Sequence, residues 1–425
     1  MADPAPKASG ASDAGDGSLE MNPFVDIHIH PAPEAFPIDV ARIETITVKC
    51  PVRGRGLVIR DLTSAGDPAL FEFFAGLAAR GGELALDSDA PLVPELVAIG
   101  FLVEQGDVVD WPRFEIPLAE ASAARPPPGA GWIVAPTFRF QPAFALHPGV
   151  RWPADYREQE GRLACFAPGP AFWVGEPSAL VSPRWVPADA AGVLAQLVPG
   201  AAPPPLPPPL ARGLAEAGAL IPASGAEPPV PVARLAQLRA AFEADGYAVA
   251  RGLLPAGELA ALRRYYAALL AAGLLRLGDG QSAARYSAYN DPVGRFVHAR
   301  LAGAMSALAG QPVVPSFSYF FSYLEGAALE PHKDRAQAEF SISLQIDHAP
   351  EPAPNPALDP AAGTGWPLAF TFDDGRAAAA DLGIGDAVLY HGRALTHHRG
   401  PLGPGQRSSV LVLEYVPHDF RGLLI

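Results

Sequence analysis

The stretch from Pro315 to Asp347 constrains the fold most strongly. It contains two segments rich in Phe, Tyr and Ile, residues 317–323 and 340–347, on either side of His332-Lys333-Asp334. Such residues favour β-strands, and residues i and i+2 of a strand share one face. An imidazole and a carboxylate can therefore point to one place. A facial metal site combines two His and one carboxylate and leaves the opposite face of the ion open. The sequence thus predicts a β-sheet domain with a metal site whose third ligand comes from a distant strand.

A second stretch, Gly385 to Val416, supplies candidates for that ligand: His391, His397 and His398. It also places Arg407 ten positions (407 − 397) after His397, at the head of an apolar strand. The residues between them suit a turn. On the strand, Arg407 and Ser409 share one face with Leu411 and Leu413, and Ser408, Val410 and Val412 take the other. A guanidinium at the closed end of an apolar pocket is suited to bidentate capture of a carboxylate.

These motifs carry a family resemblance. His332-Lys333-Asp334, followed by GDAVLYHGRALTHHRGPLGPGQR, resembles the iron(II)/2-oxoglutarate-dependent dioxygenases, within their prolyl-4-hydroxylase-like branch. The resemblance covers residues 231–425. It implies that His332, Asp334 and His397 are the catalytic metal ligands of Fe(II). It also implies that Arg407 and Ser409 hold the distal carboxylate of 2-oxoglutarate, and that Tyr323 lines the cosubstrate pocket.

The chain departs from the family pattern in two places. A Pro-rich insert, residues 348–365, separates the strands, and the doubled His397-His398 leaves open which of the two is the third ligand. The spacing to Arg407 favours His397. The resemblance further implies an α+β fold, in which helices brace a double-stranded β-helix of the jelly-roll or cupin-like type. We therefore expect helices over 233–244, from Pro255 onward, and over 291–308, where Asp291 suits the N-cap.

The N-terminal half shows a different pattern. Residues 67–82 and 188–197 have apolar residues at helical spacing, and ELVAIGFLV and GLAEAGALI align with a glycine in common. This suggests a duplicated unit that resembles the winged-helix domains that bind leader peptides; the alternative, which we favour, is that these helices form a structural platform packed against the catalytic domain. The predicted organisation is a disordered leader (1–20), a winged-helix-like unit (21–111), a related α+β unit (112–225), a Pro-rich linker (226–232) and the dioxygenase domain (233–425).

The net charge and the composition limit the kinds of partner that the protein can bind. The net charge is −14 and the pI about 5.1, which argues against nucleic acid and anionic membranes because both require basic patches. Only two cysteines are present, Cys50 and Cys165, and they match neither a zinc pattern nor a disulfide framework. No apolar run reaches the length of a membrane span, and no signal peptide is recognisable. We expect a cytoplasmic protein, and the oligomeric state stays open.

The resemblance to the dioxygenases implies an enzyme that uses Fe(II), 2-oxoglutarate and O2 to hydroxylate an unactivated C–H bond, and the two resemblances together favour an amino-acid residue in a peptide or protein as the substrate. Asp334 favours hydroxylation over halogenation, because related halogenases lack a carboxylate at that position. A free amino acid or small metabolite is the alternative substrate. Desaturation or cyclisation stays open as the outcome, and a non-catalytic binding protein of the same fold is a further alternative.

Overall fold

The structure is a computed structural model in which two compact units can be distinguished, residues 1–110 and 111–425. It describes residues 19–22, 24–31, 43–79, 90–104, 107–118, 131–152, 163–175, 181–224, 232–351 and 363–422. The predicted leader and Pro-rich linker lie almost entirely outside these residues. None of the described helices is long and apolar enough to cross a membrane. The predicted domain boundaries at 225 and 232 stay predictions.

The described residues of the first unit form two small antiparallel sheets and two helices. The strand Leu19–Met21 pairs with Leu102–Glu104, and the strand Ile43–Val52 lies between Asp26–Pro31 and Gly56–Leu62. A cluster that includes Phe74 and Phe101 forms its core. The elements are β1 (Leu19–Met21), β2 (Asp26–Pro31), β3 (Ile43–Val52), β4 (Gly56–Leu62), α1 (Pro68–Ala79), α2 (Val93–Ala98) and β5 (Leu102–Glu104).

Residues 111–224 open the second unit with short strands around an aromatic core that includes Trp173. The elements are β6 (Trp132–Val134), β7 (Arg139–Gln141), β8 (Ala171–Val174), β9 (Ser182–Trp185), a 3₁₀ turn (Ala188–Ala190), α3 (Ala191–Leu194), α4 (Pro208–Glu216) and β10 (Leu220–Pro222).

The two aligned segments of the predicted duplication share a local conformation. Both α2 and α4 end at a glycine with positive φ, 79° at Gly100 and 76° at Gly218, and both glycines lead into a short antiparallel strand. Glycine adopts this left-handed conformation readily because it has no Cβ. A shared helix end is found in many folds, so the duplication and the winged-helix resemblance stay predictions.

Three helices precede and accompany the large sheet of the second unit. They are α5 (Val232–Asp245), α6 (Ala256–Ala271) and α7 (Pro292–Ala309). Pro255 is the N-cap of α6. The Asp291 carboxylate accepts a hydrogen bond from the Gly294 amide and caps α7 as expected, with Pro292 in its first turn.

The C-terminal part contains two antiparallel sheets. The larger has the order β11-β19-β16-β21-β14-β13-β12, and the smaller the order β15-β20-β17-β18. The strands are β11 (Tyr247–Ala250), β12 (Arg276–Leu277), β13 (Arg285–Tyr289), β14 (Val313–Tyr323), β15 (Leu329–His332), β16 (Phe340–Ala349), β17 (Leu368–Thr371), β18 (Ala377–Ala380), β19 (Ala387–Tyr390), β20 (Thr396–Arg399) and β21 (Arg407–Pro417).

The larger sheet has an inner and an outer face. Its inner face packs on the smaller sheet, where the ring of Tyr247 stacks on Phe370 at 4.9 Å. Its outer face packs on helices α6 and α7. There Phe320 stacks on Tyr266 at 3.8 Å, and the Tyr415 hydroxyl donates to the His298 carbonyl. The mixed helix and strand class is as predicted, while assignment to a double-stranded β-helix stays a prediction.

Candidate metal centre

The smaller sheet brings the three predicted metal ligands together. His332 ends β15 and lies opposite His397 of β20 in the antiparallel pairing. Asp334 follows β15 by two residues, and its amide donates to the Gly392 carbonyl at 2.9 Å. The third histidine therefore comes from a strand that is distant in sequence and adjacent in space.

The ligand atoms converge on one place. The Asp334 Oδ1 atom lies 3.6 Å from Nε2 of His332 and 3.7 Å from Nε2 of His397. Two ligands that each lie about 2.1 Å from one ion are at most about 4.2 Å apart, so both separations fit a shared ion. The ligand atoms of the three residues lie within 4.8 Å of one another, and no second such cluster is found among the described residues.

Both histidines are oriented by the backbone. Nδ1 of His332 lies 2.8 Å from the Glu330 carbonyl, and Nδ1 of His397 lies 3.0 Å from the Leu395 carbonyl. A carbonyl only accepts, so each Nδ1 carries the proton and each Nε2 presents a lone pair. Burial is the largest effect on His397 and lowers its pKa, which favours the neutral imidazole that a metal requires.

The Asp334 carboxylate is held from its other side. The Ser341 hydroxyl lies 3.2 Å from its Oδ2 and 2.5 Å from Oε2 of Glu414. Burial, reinforced by the charge of Asp334, raises the pKa of Glu414 well above its usual range. A Cβ at Gly392 would lie only 2.3 Å from Asp334 Oδ2. Sequence reasoning missed these three supporting residues because no motif marks them.

The other two histidines of the second stretch lie elsewhere. His398 occupies the face of β20 opposite to His397. His391 packs against Phe242 at 4.6 Å and Phe340 at 4.9 Å between ring centroids. The structure therefore brings His397, and neither of these, to Asp334.

The predicted carboxylate-binding residues do not all reach this interior. Strand β21 alternates as predicted, but Arg407 and Ser409 share the outer face with Leu411, whose Cδ1 would lie 3.3 Å from a Cβ at Gly294 of α7. The Ser409 hydroxyl bonds to that of Ser322 at 3.0 Å. The structure thus does not bring Arg407 and Ser409 to the predicted ligands, and their predicted role stays a prediction.

Tyr323, by contrast, lies on the inner face. Its ring packs against Trp366 at 4.9 Å between centroids, in a cluster with Phe321, Leu402 and Val410. Its hydroxyl accepts a hydrogen bond from Nη1 of Arg285 at 3.0 Å. Tyr323 therefore forms part of the interior wall of this sheet, and its role in lining a cosubstrate pocket stays a prediction.

Arg399, two residues after His397, is also in this interior. It is 3% exposed, and its guanidinium lies over the Trp366 ring, 4.5 Å from the centroid. Nη1 donates to the Trp366 carbonyl at 2.6 Å, and Nη2 has no hydrogen-bond partner among the described residues. Because residues two apart on a strand share a face, Arg399 lies on the side of β20 that carries His397.

No protein-family model and no curated protein matches the sequence. Several solved structures are similar to parts of the chain. The epimerase SnoN from nogalamycin biosynthesis is 19% identical, with 44% of this chain and 83% of that chain covered and a TM-score of 0.35. A prolyl-4-hydroxylase from Pseudomonas putida is 17% identical, with coverages of 43% and 99% and a TM-score of 0.34.

A third similar structure is HygX from Streptomyces hygroscopicus, 14% identical over 43% of this chain and 87% of that chain, with a TM-score of 0.33. HygX has nickel and 2-oxoglutarate bound, and SnoN has also been solved with Fe3+ and alpha ketoglutarate. At TM-scores below 0.5, functional assignment depends on the side chains of the site.

Proposed function

We propose that the chain is an Fe(II)- and 2-oxoglutarate-dependent dioxygenase in which His332, Asp334 and His397 hold the metal. The observation that carries this proposal is that the Nε2 atoms of both histidines lie within 3.7 Å of one Asp334 carboxylate oxygen, at separations that a shared ion allows, with each Nδ1 fixed by a backbone carbonyl. Two histidines and one carboxylate on one side of an ion are the donor set of non-haem Fe(II) oxygenases. A non-catalytic protein of the same fold has no need of this set.

The three ligands leave room on the ion for exogenous ligands. A bound Fe(II) would activate O2 and couple decarboxylation of 2-oxoglutarate to oxidation of a substrate C–H bond. The protein holds His332 and His397 in one tautomer and fixes the Asp334 carboxylate through Ser341. The chain's own contribution is therefore ligation and orientation.

The inner face of β14 forms an aromatic wall of Phe317, Tyr319, Phe321 and Tyr323 at alternate positions. Tyr319 stacks on Phe321 at 4.8 Å, and the guanidinium of Arg335 lies over Phe317 at 4.1 Å from the ring centroid. Such a wall excludes water from a reacting centre and packs against apolar parts of a substrate. It is suited to the proposed oxidation of an unactivated C–H bond.

The proposed substrate is an amino-acid residue within a peptide or protein, and the proposed outcome is hydroxylation. A free amino acid or small metabolite is the alternative. Mass spectrometry of peptide and amino-acid mixtures incubated with the loaded enzyme distinguishes them: a mass increase of one oxygen on a peptide supports the first, and the same increase on free amino acids alone supports the second.

The metal assignment is tested with a pair of neighbouring variants. His397→Ala should lose Fe(II) binding and Fe(II)-dependent succinate formation from 2-oxoglutarate, because it removes an Nε2 ligand. His398→Ala, on the opposite face of the same strand, should retain Fe(II) affinity. Anaerobic titration calorimetry measures the affinity. Loss of binding in His398→Ala, with binding retained in His397→Ala, would contradict the assignment.

A further inference from the structure

Three arginines are buried among the described residues, and two of them form ion pairs; the charge of Asp381 acts on the third, Arg399, without forming an ion pair with it. Arg285 is ion-paired with Asp279 at 2.6 Å, and Arg300 is ion-paired with Glu258. Arg399 forms no ion pair with any described residue, and only its Nη1 donates a hydrogen bond to a described residue. A buried charge without a partner is costly. The position of Arg399 therefore suits an anion that binds from outside.

The anion would lie close to the metal centre. Arg399 and His397 are two residues apart on β20, both buried on the same face, which separates their Cα atoms by about 6.6 Å along the strand. Thus one small molecule can reach both the guanidinium and an ion held by His397. A ligand confined to this interior would need one end for the metal and an anionic end for Arg399.

The surroundings of Arg399 offer a second donor. Trp366 contacts both the Arg399 guanidinium and the Tyr323 ring. Because Arg285 donates to the Tyr323 oxygen, the phenolic proton of Tyr323 is still available for donation. Leu402 and Val410 complete the apolar part of this wall. A guanidinium and a hydroxyl, both donors, match a carboxylate.

Resting on the proposed function, we propose that Arg399, assisted by Tyr323, binds the distal carboxylate of 2-oxoglutarate. Arg407 is engaged differently: its Nη2 lies 3.2 Å from the carboxylate of Asp347, on the face of the sheet that packs on the helices. Asp347 also accepts from Arg263 of α6 at 2.7 Å. The ligand class that fits the interior is a 2-oxo acid with a second carboxylate at its far end.

The test compares 2-oxoglutarate with 2-oxopentanoate, which has the same chain length and lacks the distal carboxylate. Anaerobic titration calorimetry with Mn(II)-loaded protein gives both affinities without turnover. Wild-type protein should prefer 2-oxoglutarate by about 100-fold, the scale of a charge-assisted pair of hydrogen bonds. Arg399→Met should bring this ratio close to one by weakening 2-oxoglutarate alone, and Arg407→Met should keep it.

Two further measurements keep the outcomes distinct. Arg399→Met should bind Mn(II) as wild type does, because the substitution leaves the three metal ligands in place. Arg399→Lys should restore part of the preference. The inference is overturned if Arg407→Met loses the preference for 2-oxoglutarate over 2-oxopentanoate while Arg399→Met keeps it, or if both variants keep it. In either case the proposed function stands. Failure of wild-type protein to bind either acid with metal present refutes the proposed function itself.

Discussion

Gly392 offers a sharp test of how the metal centre is assembled. It lies against Asp334, and a Cβ at this position would be 2.3 Å from Asp334 Oδ2, 2.5 Å from Ser341 Oγ and 2.8 Å from the Ala338 carbonyl oxygen. Real Cβ contacts are longer than about 3.0 Å, and the carbonyl belongs to the backbone. In Gly392→Ala the carboxylate must therefore move by about 1 Å. Functional groups need positioning within about 0.5 Å, so this shift should displace the ligand.

The magnitude follows from the displaced ligand. Disturbing the support of a metal ligand typically weakens affinity 10- to 100-fold. At a metal concentration 100 times the wild-type Kd, binding stabilises the wild type by about 2.7 kcal/mol. With affinity 100-fold lower, the same concentration stabilises Gly392→Ala by only about 0.4 kcal/mol. Overpacking should also lower the stability of the metal-free protein by about 1–3 kcal/mol.

Thermal or urea unfolding with and without Mn(II) separates weaker metal binding from lower stability of the metal-free protein. For each variant, the stabilisation by metal is the difference between its own stabilities with and without Mn(II). Gly400→Ala is the matched control: it follows Arg399 directly, and nothing lies within 4 Å of its Cβ position. Its metal-dependent stabilisation should equal that of the wild type. An undiminished metal effect in Gly392→Ala would refute the assignment of Asp334 as a ligand held in this orientation.

Two further predictions concern buried ionisable side chains of helices α6 and α7. Burial lowers the pKa of His298 from its usual value of 6.5 to about 3. The imidazole therefore stays neutral in the folded protein, whereas in the unfolded chain it takes a proton below about pH 6.5, so stability is lost as the pH falls. Between pH 7.5 and 5.0 this loss in the free energy of unfolding is about 2 kcal/mol. Urea unfolding of His298→Phe should show a smaller loss over this range than the wild type, and an equal loss would contradict the reasoning. Arg300→Met removes the ion-pair partner of the fully buried Glu258 and should cost about 3–5 kcal/mol. The double variant with Glu258→Gln should recover part of that loss, and a double variant as unstable as the single one would contradict the reasoning.

Local sequence rules predicted much of the fold. Proline and Asp291 marked the starts of α6 and α7, and the apolar segments became β14 and β16. The two-residue spacing of His332 and Asp334 placed both near one point, although Asp334 lies beyond the end of its strand. Periodicity and capping are local properties, so they can be read from a single chain.

Other features depended on contacts between distant residues. Alternation showed that Arg407 and Ser409 share a face, but which face is inner depends on the packing of helices on β21. Likewise, Ser341 and Glu414 meet at 2.5 Å although they are distant in sequence. Nη2 of Arg399 has no hydrogen-bond partner among the described residues, because the Asp381 carboxylate, whose charge acts on this guanidinium, forms no hydrogen bond or ion pair with it. None of these features leaves a local pattern in the sequence.

The most direct test of the central claim is the anaerobic absorption spectrum of the protein with Fe(II) and 2-oxoglutarate. A 2-oxo acid chelated to Fe(II) held by His332, Asp334 and His397 should give a visible metal-to-ligand charge-transfer band. The band should be lost in Asp334→Ala and kept in Asp373→Ala, whose carboxylate is 87% exposed and pairs with Lys333. Absence of the band in the wild type, or an undiminished band in Asp334→Ala, would contradict the claim.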